Sequence, residues 1–165
     1  MNYNHYHLLL FSILFYVSSN SMAQDSLSSR NSVYAELGGN SVVFSINYER
    51  VIINNLVAKA GLGFCVLPIS KSSKSNDKDW SFFPLYNIMA QYFLRVSQQS
   101  SFGLNLGLGF TGSLHEGNAI LLATKIGIRY SPYDGGFQLD LSYTPLWDSE
   151  NKIISWFGIG IGQSF

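Results

Sequence analysis

A strict alternation between bulky and small side chains constrains this chain more than any other feature. Over residues 101–111, Phe102, Leu104, Leu106, Leu108 and Phe110 hold one parity, and Ser101, Gly103, Asn105, Gly107, Gly109 and Thr111 hold the other. Successive side chains of a strand point to opposite faces, whereas a helix would mix the two classes around its axis. The same split recurs at Val42, Phe44, Ile46 and Tyr48; at Leu56, Ala58, Ala60, Leu62 and Phe64; and at Ile120, Leu122, Ile126, Ile128 and Tyr130. It continues through Phe137, Leu139, Leu141 and Tyr143, and through Phe157, Ile159, Ile161 and Phe165. Weaker versions run through Val33, Ala35 and Leu37, and through Tyr86, Ile88, Ala90, Tyr92 and Leu94. Turn-forming residues separate these segments, which predicts eight strands and no helix after the N-terminal segment. The fold class is all-β.

Period two fits both a soluble barrel with its bulky face inward and a membrane barrel with that face outward. The charges decide between them. Glu36, Glu49, Lys59, Arg95, Lys125, Arg129 and Asp140 all take the parity opposite the bulky residues. Chance placement would do this about once in 128 arrangements. Their face is otherwise Gly, Ser, Asn and Thr, which suits a narrow interior that must leave room for a few long polar side chains. A soluble exterior would be densely charged, yet only 12% of residues are charged, against about 25% in ordinary domains. Arg50 alone shares the bulky parity, at a strand end. Six aromatics on the bulky face, Tyr48, Tyr92, Phe102, Tyr130, Phe137 and Phe165, gather beside the even-numbered connections. That is the placement of an interfacial girdle. The expectation is an eight-stranded antiparallel up-and-down transmembrane β-barrel in a bacterial outer membrane, its last strand paired with its first. The seven charges form a lumen network, with Glu49–Lys59 and Arg129–Asp140 as expected partners. Of the connections, the third is longest (residues 68–80) and falls on the outer side.

Residues 8–17, LLLFSILFYV, form an apolar run too short to cross a bilayer as a helix but suited to a secretory signal peptide. Ser21-Met22-Ala23 predicts cleavage after Ala23, so residues 1–23 are the signal peptide and 24–165 the barrel domain. No Lys or Arg precedes the apolar run.

The motifs Val33-Tyr34-Ala35-Glu36-Leu37-Gly38-Gly39-Asn40, Asn47-Tyr48-Glu49-Arg50 and Lys59-Ala60-Gly61-Leu62-Gly63-Phe64, with a terminal strand ending at Phe165, resemble the small eight-stranded outer-membrane β-barrels. The likeness is to an uncharacterised group of them in Bacteroidota. It implies outer-membrane lipid as surroundings and recognition of the C-terminal strand by the barrel-assembly machinery. Phe157, Ile159 and Ile161 fit that sorting signal, and Gln163 departs from it.

Little in the sequence carries chemistry. Ten cationic and ten acidic residues balance, which removes the basic excess a nucleic-acid binder needs. One cysteine, Cys65, excludes an internal disulfide. Past the signal segment the one histidine is His115, beside Glu116 in a predicted loop. Some small outer-membrane barrels are lipid A deacylases, but those hold serine and histidine on a lipid-facing strand, and no such geometry is available in the Ser113–Glu116 stretch. No cofactor motif or metal spacing is present. The expected function is structural or a surface interaction through the outer loops, without catalysis. The alternatives are a narrow channel for ions or small solutes through the charged lumen, and a lipid-modifying enzyme.

Overall fold

The computed structural model describes residues 30–53, 55–70, 78–96, 100–114, 120–148 and 152–165. The predicted signal peptide and the tip of the third connection lie outside the described residues, as do His115 and Glu116.

Among the described residues the chain forms ten strands: β1 (Asn31–Gly38), β2 (Phe44–Ile53), β3 (Leu56–Ser70), β4 (Lys78–Arg95), β5 (Phe102–Ser113), β6 (Ile120–Tyr130), β7 (Gly136–Tyr143), β8 (Leu146–Trp147), β9 (Ile153–Ile154) and β10 (Phe157–Ser164). Eight of them, β1 to β7 and β10, close an antiparallel barrel. Sequential neighbours pair from β1 to β7, β7 then pairs with β10, and β10 returns to β1 with Tyr34 opposite Gly162. The terminal Phe165 exchanges both backbone hydrogen bonds with Asn31, at 2.7 and 2.9 Å. In hydrocarbon an unpaired backbone group has no water to turn to, so this closure is what lets a sheet cross a membrane. Strands β8 and β9 form a small hairpin that continues the sheet along the outer end of β6, with Ala123 opposite Leu146.

Two expectations about connections are corrected. Residues 68–80 were expected to be loop, but β3 and β4 stay paired through Pro68 opposite Trp80 and Ser70 opposite Lys78. Strand β2 reaches β3 only as far as Phe64, and β5 reaches β4 only as far as Leu85. Beyond the rim, β3 and β4 therefore continue as a two-stranded ribbon, roughly 20 Å long at the usual rise per residue. Pro68, Pro84 and the polar run after Ile69 read as turn signals, which hides this pairing from the alternation. The first connection also differs. Val42 was expected to open a strand, but Gly39–Ser41 form a 3₁₀ turn and β2 starts at Phe44. Gly38 and Gly39 take φ of 73° and 66°, where a Cβ is disfavoured. Val42 holds φ of 70° despite its branched side chain, a conformation that persists only when surroundings enforce it. The turn folds into the barrel mouth, where Asn40 and Ser41 are fully buried.

The two faces divide as physics requires of a membrane barrel. Leu62, Ile88, Leu108, Ile126 and Ile128 are exposed around the circumference, while Glu36, Lys59, Lys125 and Asp140 are at most 1% exposed inside. A soluble monomer does not present an apolar band of this extent to water. Leu108→Arg is expected to lower folding stability in phospholipid vesicles by about 2–4 kcal/mol, read from denaturant titrations; an unchanged midpoint would mean that this face does not meet hydrocarbon.

Candidate functional site

The lumen is the chemically distinctive part of the molecule, and its side chains come from strands far apart in sequence. Six charges alternate in sign along one chain of contacts. Glu49 receives the Arg129 guanidinium on both oxygens, at 2.7 and 2.9 Å. Arg129 Nε donates to Asp140 Oδ2 at 2.9 Å. Asp140 Oδ1 lies 2.7 Å from Lys125 Nζ, which also reaches Glu36 Oε1 at 3.3 Å. Glu36 Oε2 then accepts from Lys59 Nζ at 2.9 Å. Three cations face three carboxylates, so the buried charge sums to zero. That balance matters because an unpaired ion taken out of water costs several kcal/mol even after relaxation.

Tyr34 stands at the centre of this network and was not singled out by the alternation. It is 1% exposed and donates its hydroxyl to Glu49 Oε1 at 2.9 Å. Its ring lies 5.4 Å from Lys59 Nζ and 5.9 Å from both Lys125 Nζ and the Arg129 guanidinium carbon. Three cations therefore surround one aromatic ring, each within the range of cation–π attraction. Room for the ring comes from β10, whose inward residues include Gly160 and Gly162. A Cβ on Gly160 would meet the Tyr34 ring at 3.0 Å, and one on Gly162 would collide with the Tyr34 backbone and side chain. Amides complete the shell. Gln91 Nε2 donates to Glu49 Oε1 at 2.9 Å, and Asn105 Nδ2 donates to Gln91 Oε1 at 2.6 Å and to Asp140 Oδ2 at 3.0 Å. A polar residue on the small parity of a membrane strand was the available signal for Tyr34, Gln91 and Asn105.

Of the expected pairs, Arg129 and Asp140 are in contact. Glu49 and Lys59 sit opposite each other in the β2–β3 register, but the expected Glu49–Lys59 pairing is corrected. The Lys59 ammonium turns to Glu36, and Glu49 takes the guanidinium, whose planar fork matches a carboxylate with two parallel bonds. Arg95 stands apart from the six. It lies at the end of β4, half-buried, donating to the backbone carbonyls of Ser100 and Ser131 at 2.9 and 3.2 Å, with its guanidinium 4.7 Å from the Phe93 ring centre. It caps two inner turns.

The outer half of the lumen is filled by other means. Leu146 and Ala123 are fully buried against Met89, with Val42 and Leu121 packed onto them. Trp156 Nε1 donates to the Val42 carbonyl and Asn87 Nδ2 to Ser41 Oγ at 3.0 Å. Both the first and the seventh connections thus fold inward over the mouth.

Outside, Tyr48, Tyr92, Phe102, Phe137 and Phe165 are exposed and Tyr130 half-buried, near the end that carries the described termini. Phe102 and Tyr130 pack with ring centres 4.9 Å apart. Aromatics also line the opposite rim, where Phe44, Phe64 and Phe82 form a row and Tyr143 packs on Phe157. The six expected aromatics thus share one end, and the opposite rim carries a second set that the alternation did not single out as a girdle. Cys65 faces inward and is buried.

Breaking the charge chain at its hub is expected to cost more than any single hydrogen bond. Arg129→Met takes from Glu49 its main partner and from Asp140 one of its two cations, and should destabilise the barrel by about 3–5 kcal/mol, measured by urea titration of the folded, heat-modifiable form. A double-mutant cycle with Glu49→Gln should return less than the sum of the single losses. Additive losses would show that the two groups do not interact.

No protein-family model and no curated protein sequence matches the chain. Among solved structures, the fold is similar to that of the outer membrane protein Ail of Yersinia pestis in a phospholipid bilayer nanodisc, with a TM-score of 0.54 at 15% identity over 83% of this chain and 99% of Ail. It is similar also to the N-terminal β-barrel domain of Pseudomonas aeruginosa OprF, with a TM-score of 0.59 at 13% identity over 83% of this chain and 99% of that domain. Likeness at such identities speaks to architecture. With an apolar circumference and a polar ion network inside, the chain has the fold of the small, eight-stranded bacterial outer-membrane barrels.

Proposed function

We propose that the chain is a surface-interaction protein of the outer membrane, anchored by a sealed barrel and acting through its outer connections, without catalysis. One contrast carries this reading. The lumen is occupied at two levels, by the ion chain around Tyr34 and by the Leu146–Met89 cluster beneath the inward-folded first connection. The β3–β4 ribbon meanwhile rises past the rim. A scaffold that closes its interior and extends one hairpin invests its length where a partner outside the cell can reach it. Loops on rigid scaffolds are where recognition concentrates. The motifs around Tyr34, Tyr48 and Lys59 support membership in the Bacteroidota group of such barrels, and the pairing of Phe165 with Asn31 supports a C-terminal strand read by the assembly machinery.

Two measurements test the reading. Reconstituted in planar bilayers, the purified chain should give no steady conductance; regular openings would replace the proposal with the narrow-channel alternative. On intact cells, trypsin should cut after Lys71, Lys74 or Lys78 and leave a protected barrel fragment. Protection of that hairpin would place it on the periplasmic side and end the surface reading. The lipid-modifying alternative requires that His115→Ala change the lipid A mass spectrum; an unchanged spectrum removes it.

A further inference from the structure

At the inner mouth, below the charge chain, a cavity of about 40 Å³ is lined by Arg30, Arg95, Arg129, Glu49, Ser131 and Gln138 among others. It has room for a halide-sized occupant with a water or two, since a single water needs about 10–15 Å³. Three guanidinium groups and one carboxylate are among its lining groups. That carboxylate, Glu49, is already saturated by Arg129, Tyr34 and Gln91. Arg129 is in turn committed to Glu49 and Asp140. Arg95 is not neutralised in this way, because its described hydrogen bonds go to uncharged carbonyls. The remaining observation concerns Gln138. It is 1% exposed, lines the cavity, and its Nε2 has no acceptor among the described residues. A buried donor without an acceptor is uncommon in a folded protein and calls for a partner. A donor beside uncompensated positive charge selects an acceptor that is negative.

We infer that the inner mouth binds one small inorganic anion of the halide class, held by the Gln138 amide and the field of Arg95. The cavity is too small for a phosphate ester or a carboxylate-bearing metabolite. The site is distinct from the outer ribbon and does not rest on the proposed surface role.

Bromide is the probe. Crystals of the detergent-solubilised, folded protein grown in sodium bromide, with data collected at the bromine edge, should show one anomalous peak within hydrogen-bonding reach of Gln138 Nε2. The peak should be lost in Gln138→Leu and weakened in Arg95→Gln. Heat-modifiable migration of both variants on a gel shows that each still forms a barrel. An empty cavity, water alone, or a peak of full height in both variants overturns the inference. In solution, replacing chloride by gluconate at constant ionic strength should lower the wild-type melting temperature and leave that of Gln138→Leu unmoved. A wild-type midpoint indifferent to the exchange also overturns it.

Discussion

Closure of the sheet is the constraint from which the rest follows. A strand exposed to hydrocarbon on one side cannot leave its backbone unpaired, so β10 must find both β7 and β1. Eight strands closing on themselves fix a narrow interior that side chains fill. Every inward residue is therefore chosen against a volume it cannot enlarge. Small residues dominate that face, and each long side chain needs a neighbour that yields space. Tyr34 has Gly160 and Gly162; Gln91 and Lys125 flank the space that Gly107 leaves open.

Within that volume the polar groups are arranged by mutual need. Glu36 and Tyr34 come from β1, Glu49 from β2, Lys59 from β3, Gln91 from β4, Asn105 from β5, Lys125 and Arg129 from β6, and Asp140 from β7. One connected set of contacts thus ties seven strands together. A slip of any strand by one residue would send its inward side chains to lipid, and the charges would lose their partners at the same moment. Hydrophobic side chains could fill the same space, but they would not penalise misregister so severely.

The alternation made strand number, antiparallel order and the inward placement of the charges legible, because period two is a direct consequence of backbone geometry. Contacts were less legible. Register between sequential strands can be guessed from a tight turn, and Glu49 does stand opposite Lys59. The ammonium nevertheless turns to Glu36, and Glu49 bonds a guanidinium 80 residues away. Those partners depend on how far the strands shear around the barrel, which no local pattern encodes. The inward fold of the first connection was hidden for a related reason. Val42 continues the apolar parity of β2, but its positive φ goes with the turn's own backbone bonds, Val42 N–H to Gly39 and Val43 N–H to Ser41, and with Leu146 and Trp156 packed on it from the seventh connection. The β3–β4 ribbon escaped notice because Pro68, Pro84 and the Ser/Lys/Asp run between its strands read as turn signals.

The inward face of β10 carries Gly158, Gly160 and Gly162, with Ser164 at its foot. No member of the ion chain belongs to it. The seam between the first and last strands can consequently shut over an interior already assembled by the other seven, with nothing bulky to thread past Tyr34. A side chain at Gly162 would act as a doorstop, meeting the Tyr34 Cβ and the Val33 carbonyl where the seam shuts.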